Sequence, residues 1–261
     1  MAEEQTPLKW KFKTGDVRSS PTVSDGIVYF ASDDNHLHAV DAKTGKEQWK
    51  FETDVYVDSS PAVSDGVVYF GSWDKHLYAV DHKTGKKIWK YEIGGGTGAF
   101  VVTEDTVYCG EASRWSDYDR YHLYVVDSKT GKEKWKFKTV GSIQGVAVAE
   151  GLVFFGDQDE PGRWANNFLY AVDSKTGKEK WRFETEDKTN NGPLAVSDGV
   201  VYFGCWDKCI YAVDIKTGKE IWKYETQWRF VGSPVVSEEI VYCFSGDKEL
   251  HALDSKTGEE K

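Results

Sequence analysis

The amino-acid sequence predicts an all-β fold, a six-bladed β-propeller of four-stranded antiparallel blades, and three observations predict it. The phrase Asp-x-Lys-Thr-Gly occurs six times, with its glycine at Gly45, Gly85, Gly131, Gly177, Gly218 and Gly258, at intervals of 40, 46, 46, 41 and 40 residues. Five of these glycines are followed four residues later by a tryptophan: Trp49, Trp89, Trp135, Trp181 and Trp222. Each interval holds four short β-rich runs separated by Gly, Asp and Asn turn chemistry, with no room for a helix.

The second repeat shows the elements in order. Ser60-Pro-Ala-Val-Ser-Asp-Gly leads into Val67-Val-Tyr-Phe-Gly-Ser, and a Trp73-Asp-Lys turn leads into His76-Leu-Tyr-Ala-Val-Asp. Lys83-Thr-Gly-Lys then turns the chain into Trp89-Lys-Tyr-Glu. Glycines in Ser-Asp-Gly and Lys-Thr-Gly supply the positive φ such turns require. Four strands in some 40 residues is the size of one propeller blade.

A single blade cannot bury both faces, so each is expected to pack on its neighbours, with the recurring tryptophan closing the space between them. Trp10-Lys-Phe-Lys-Thr matches Trp49-Lys-Phe-Glu-Thr without a preceding Lys-Thr-Gly, and Lys261 stands where a sixth such tryptophan is due. The expectation is that the N-terminal strand completes the last blade, which closes the ring and removes exposed sheet edges. Residues 1–261 are then one domain, with Trp10, Trp49, Trp89, Trp135, Trp181 and Trp222 as its docking residues.

Ala39-Val-Asp-Ala-Lys-Thr-Gly-Lys-Glu-Gln-Trp49 resembles the tryptophan-docking repeat of the PQQ-like, quinoprotein-type propeller family, and the likeness recurs along essentially the whole chain. That resemblance implies a propeller shared by pyrroloquinoline-quinone (PQQ) dehydrogenases and by non-enzymatic relatives. The latter include the propeller lipoprotein of outer-membrane assembly and sensor domains of bacterial and archaeal kinases. Familiar members generally have eight blades, whereas six are counted here. The resemblance also implies an extracytoplasmic location. In the family's enzymes it implies a quinone held by a disulfide between adjacent cysteines, with calcium near a catalytic Asp. This chain has no Cys-Cys dipeptide and no matching Glu/Asn/Asp set. Asp117, Asp119, Asp157 and Asp159 in the inserted loops leave a carboxylate-rich calcium site open, though their irregular spacing makes the signal weak. Neither PQQ nor calcium is assigned, and no catalytic residue.

Composition narrows the partners. With 39% hydrophobic and 15% aromatic residues the chain buries a large apolar area and is not disordered. A formal net charge of -10 argues against nucleic acid, and the lysines recur in one turn motif beside acids, as a solvated rim. No apolar run approaches the roughly 20 residues of a membrane span. The start, Met1-Ala-Glu-Glu-Gln, has no apolar signal core, so export would require a leader already removed. A monomer binding a protein or a small molecule is the expected state.

Binding is expected on the face carrying the blade-to-blade crossings and the loops between second and third strands, because only there do the repeats vary. Two adjacent blades carry insertions there, at 111–121 and 157–167, and each contains an Arg-Trp pair, Arg114-Trp115 and Arg163-Trp164. Trp73 and Trp206 occupy the equivalent short loops of two other blades, and Trp228 lies in a crossing. Tryptophan beside carboxylates suits a sugar or a cation, and equally these rings fold back over their own loops. The crossings are expected to bring Arg18, Asp58, Thr97, Ile143, Asn191 and Val231 to the axis, with Gln144, Asn190 and Arg229 close by. The arginines either grip a carboxylate or phosphate or pair with Asp58 and neighbouring acids.

Cys205 and Cys209 flank a tight hairpin and form a disulfide if their Cα atoms are in range, or remain free thiols. Cys109 and Cys243 replace a strand phenylalanine and read as small buried apolar residues. His36, His76 and His122 share one repeat position in consecutive blades, too far apart for a common zinc ion. These readings favour a non-catalytic binding or scaffold propeller. The alternatives are a PQQ-dependent dehydrogenase oxidising alcohols or sugars, and the sensor ectodomain of a membrane-bound kinase.

Overall fold

A computed structural model describes residues 8–112, 121–158, 167–189 and 192–261. Every regular element among them is a β-strand, in six antiparallel sheets that form the blades of a six-bladed β-propeller. No helix is long and apolar enough to cross a membrane. Blade 1 contains β1 (Thr22–Ser24), β2 (Ile27–Ser32), β3 (His36–Asp41) and β4 (Glu47–Glu52). Blade 2 contains β5 (Ala62–Ser64), β6 (Val67–Ser72), β7 (His76–Asp81) and β8 (Lys87–Glu92). Blade 3 contains β9 (Gly96–Val102), β10 (Thr106–Ala112), β11 (Tyr121–Asp127) and β12 (Glu133–Thr139). Blade 4 contains β13 (Ser142–Ala149), β14 (Leu152–Gln158), β15 (Asn167–Asp173) and β16 (Glu179–Thr185). Blade 5 contains β17 (Ala195–Ser197), β18 (Val200–Gly204), β19 (Cys209–Asp214) and β20 (Glu220–Glu225). Blade 6 is three-stranded, with β21 (Phe230–Ser237), β22 (Ile240–Ser245) and β23 (Leu250–Asp254).

The turns explain the repeat. In blades 1, 2 and 5 the first hairpin places Asp and Gly at φ 49° and 74°, 49° and 75°, and 49° and 77°, the left-handed pair of a two-residue hairpin. At the next corner Asp41 Oδ1 accepts from the amides of Lys43 and Thr44 and from the Thr44 hydroxyl, while the Gly45 amide bonds the Asp41 carbonyl. The same clasp recurs at Asp81, Asp173 and Asp214. Each clasp is followed by one β-bulge against the third strand, as between Ala39 and Val40 or Ala212 and Val213.

Two compact units divide the chain. One comprises the residues up to Thr97 with Val102–Asp105 and Ser128–Lys132, and carries blades 1 and 2. The other comprises Gly98–Val101, Thr106–Asp127 and Glu133–Lys261, with blades 4 to 6 and most of blade 3. In the first unit Tyr29, Leu37 and Ala39 pack with Val68, Phe70 and Tyr78. In the second, apolar clusters join blades 3 and 4, 4 and 5, and 5 and 6. Core formation is therefore a matter of one sheet's face meeting the next.

The recurring tryptophans stitch these clusters. Trp49 Nε1 donates to the His82 carbonyl at 3.0 Å, Trp135 to Ser174 at 3.1 Å, Trp181 to Ile215 at 2.8 Å and Trp222 to Ser255 at 3.0 Å. Trp10 does the same to Ala42 at 3.0 Å, and Phe12 stacks edge-on to Phe30 as Phe51 does to Phe70. Residues 8–21 nevertheless form no strand ladder. At the other terminus Glu260 bridges Leu253 and the Lys261 amide bonds the Ala252 carbonyl, so the C-terminal residues begin a fourth strand on blade 6. Beyond that bridge Leu250 is 56% exposed, whereas its counterparts Leu37, Leu77, Leu123, Leu169 and Ile210 are fully buried.

Candidate functional site

The second unit builds a cationic, aromatic surface where blades 5 and 6 meet. The β18–β19 hairpin carries Trp206, whose amide bonds the Lys188 carbonyl at 2.9 Å. The Cys205 thiol points into the same crossing, 3.1 Å from the Asp187 carbonyl and 3.2 Å from that of Lys188. From the next crossing, Arg229 lays its guanidinium 4.2 Å from the centre of the Trp206 ring, and the Lys188 ammonium lies 5.7 Å from it. The Phe230 amide bonds the Cys205 carbonyl, and the Gly246 amide bonds that of Arg229. Both crossings are thereby pinned to hairpins. Trp228, beside Arg229, is 59% exposed. An exposed cation–π contact is worth about 0.5–1 kcal/mol, enough to bias the guanidinium while leaving its donors to solvent or a partner. The surface thus offers an exposed indole and two cations on a chain whose net charge is -10.

Trp73 and Arg18 behave differently in the first unit. The Trp73 ring packs against Gly96, where a Cβ would stand 2.9 Å from it, and against Tyr56 at 5.8 Å. It covers its own loop. Arg18 Nε pairs with Asp33 Oδ2 at 3.1 Å, an acid of its own blade's hairpin. Asp58 is half-buried, and Gln144 is the extra residue of a bulge in the β13–β14 ladder.

Thr97 and Ile143 come from the crossings, at the starts of β9 and β13. Both are buried, 5% and 0% exposed, in the space above glycines of the preceding blade. A Cβ on Gly71 would stand 2.0 Å from Thr97, and one on Gly110 2.6 Å from Ile143. These glycines in the second strand leave the room that the crossing residue fills. Arg114, Trp115, Arg163, Trp164, Asn190 and Asn191 lie outside the described residues, as do most of the loops 111–121 and 157–167. Lys188 has no counterpart in the sequence reading: a lone lysine among 33 basic residues carries no signal until the fold sets it beside Trp206.

Of the two alternatives for Cys205 and Cys209, the structure has the free thiols. Cys205 turns its sulfur to the crossing carbonyls, and burial pushes the Cys209 thiol up to about 11. Cys109 and Cys243 are buried in strands, where desolvation raises each thiol to about 12. None has the depressed pKa of a reactive thiol. His36 and His76 each turn Nδ1 to the carbonyl of their own hairpin's Asp34 or Asp74. The residues present do not fit a quinone cradled by a disulfide of adjacent cysteines, since no two of the four cysteines are neighbours in the sequence. Asp157, considered for calcium, is 1% exposed, and its carboxylate accepts from the Phe168 amide and the Tyr170 hydroxyl.

Comparison with known proteins agrees with this architecture. The family described as outer membrane protein assembly factor BamB matches residues 4–165 and 165–261. None of the curated proteins matches the chain. Among solved structures, the computationally designed Ika8 protein is 17% identical with a TM-score of 0.56, covering 95% of this chain and 86% of that one. BamB from Moraxella catarrhalis is 16% identical with a TM-score of 0.55, covering 90% and 82%. The quinohemoprotein alcohol dehydrogenase of Comamonas testosteroni is 16% identical with a TM-score of 0.61, covering 95% of this chain and 66% of that one. At such identities the structural likeness speaks for the fold alone. Six repeats of the docking motif, the tryptophan-to-carbonyl stitches between sheets and the family match over both halves together place the chain in the outer membrane protein assembly factor BamB family of PQQ-like propellers.

Proposed function

We propose that this chain is a non-catalytic docking propeller that holds an extended, acidic and aromatic segment of a partner protein against Lys188, Trp206, Trp228 and Arg229. The observation that carries the reading is the Arg229 guanidinium held 4.2 Å over Trp206 beside an exposed Trp228. Buried aromatic anchors and arginine are the residues that dominate protein interfaces. A guanidinium with unspent donors recognises carboxylates in a bidentate manner. The indole of Trp228 supplies apolar area at small entropic cost, since two torsions position it.

The family's description as an assembly factor supports a partner of protein class. On the same ground the chain works outside the cytoplasm. Reading the chain as a dehydrogenase has only the shared fold behind it.

Fluorescence anisotropy with a labelled peptide of alternating Glu and Phe tests the reading. Saturable binding that weakens at least about tenfold in Arg229→Ala and in Trp228→Ala is expected. Binding of equal strength in both variants, or none at millimolar protein, would overturn it.

A further inference from the structure

We propose that the β22–β23 hairpin of blade 6 is a divalent transition-metal site, of the zinc class, formed by Asp247, Glu249 and His251. One ligand atom from each of these side chains lies within 4.8 Å of the other two. The spacing Asp-x-Glu-x-His explains the convergence, because alternate residues leaving a turn into a strand share one face.

The histidine marks the site. In blades 2 to 5 the equivalent residue is a tyrosine whose hydroxyl donates to the hairpin acid: Tyr78 to Asp74 at 2.7 Å, Tyr124 to Glu111 at 3.2 Å, Tyr170 to Asp157 at 3.2 Å and Tyr211 to Asp207 at 2.7 Å. Blade 1 has His38, whose Nε2 fills the same role, 3.0 Å from Asp34 Oδ2. Blade 6 breaks the pattern. His251 is 94% buried by its side chain, taking its 6% exposure, and its Nε2 is buried without a hydrogen-bond partner. Asp247 Oδ2 stands off at 3.5 Å. Leaving a buried polar atom unmade costs about 1–3 kcal/mol, so an orphaned imidazole nitrogen beside two carboxylates asks for a ligand.

The far side of the ring is arranged as metal-binding histidines are. Nδ1 lies 3.0 Å from Glu260 Oε1. A carboxylate on Nδ1 fixes that nitrogen as the donor and leaves the Nε2 lone pair for the metal. Asp247 Oδ1 accepts from the Glu249 amide at 2.9 Å, which leaves Oδ2 turned to the histidine. One imidazole and two carboxylates suit zinc or a neighbour in the first transition row better than calcium, which takes oxygen ligands alone. Three protein donors leave a fourth position for water. Glu249 is the residue that sets blade 6 apart, for its position holds His36, His76, His122, Phe168 and Cys209 in the other blades.

Titration of the full chain, stripped with chelator, tests the site by calorimetry with Zn²⁺ and by the visible absorbance of Co²⁺. The expected result is one ion bound per chain with a tetrahedral Co²⁺ spectrum. His251→Tyr restores the residue of the other blades and is expected to fold and to lose binding. Glu249→Gln, on an exposed side chain that cannot unfold the blade, is expected to weaken binding at least about tenfold, and Glu260→Gln by about 10–100-fold. His38→Tyr in blade 1 is the control and is expected to leave binding unchanged. No binding at 100 µM Zn²⁺ (about 5.5 kcal/mol) overturns the proposal, as does binding that survives His251→Tyr or Glu249→Gln.

Discussion

Trp181 lies across Gly218 of the next sheet so closely that a Cβ on the glycine would stand 2.6 Å from the ring. The indole Nε1 meanwhile donates to the Ile215 carbonyl at 2.8 Å, three residues earlier in the same turn. One glycine thus satisfies two demands at once, a φ of 67° and a flat surface for the neighbouring ring. The Trp49–Gly85, Trp89–Gly131, Trp135–Gly177 and Trp222–Gly258 pairs repeat it.

Gly218→Ala is therefore expected to destabilise by about 2–5 kcal/mol, adding left-handed strain to overpacking. Gly151→Ala is the comparison, because Gly151 has φ 78° but nothing within 4 Å of its absent Cβ. It should cost only the backbone share, about 1–2 kcal/mol. Urea unfolding of the two variants checks the difference, and equal losses would mean the ring contact is neutral.

Acidification should weaken the fold through the Asp-x-Lys-Thr-Gly clasps. The Thr176 hydroxyl, with the backbone amides beside it, holds the Asp173 carboxyl down at about 2. Asp41, Asp81 and Asp214 are lowered by their own threonines in the same way. A carboxyl depressed in the folded state contributes stability above its ordinary value of 3.8, and that contribution is lost as the pH falls toward 2. Melting temperature should thus decline across this window. Thr176→Val should return the Asp173 carboxyl toward the ordinary range, as followed by carboxyl carbon NMR.

Glu239→Gly should stabilise the protein. The first hairpin of blade 6 places Glu238 and Glu239 at φ 52° and 63°, where blades 1, 2 and 5 have Asp-Gly. Relieving a non-glycine residue of left-handed backbone gains about 1 kcal/mol, after loss of chain entropy in the unfolded state. The exposed ion pair of Glu239 with Lys256 offsets little of this. Thermal unfolding at fixed pH reads the gain directly.

Much of the fold was legible because the repeat repeats for a physical reason. Asp41, Thr44 and Gly45 make a self-bonded turn with a left-handed glycine, and Trp49 four residues on reaches the next sheet. Strand pairing then follows from alternation. The site was less legible. Trp206, Trp228 and Arg229 stood out as residue types, but whether a ring folds back or faces solvent depends on what lies beneath it. Gly96 beneath Trp73 settles one case, and Arg229 over Trp206 the other. Alignment by first-strand onset also says nothing of what Thr97 and Ile143 pack against, since the glycines beneath them sit in a different blade. His251 carried a signal that pattern reading passed over, a histidine where four blades have tyrosine.

The docking claim is tested most directly by placing a photo-cross-linking amino acid at Trp228, or at Lys175 on the Lys-Thr-Gly face, in the full chain expressed in its own cells. A discrete partner adduct is expected from position 228, lost when Arg229→Glu is added, and none from position 175. Adducts formed only from position 175, or formed from 228 regardless of Arg229, would contradict it.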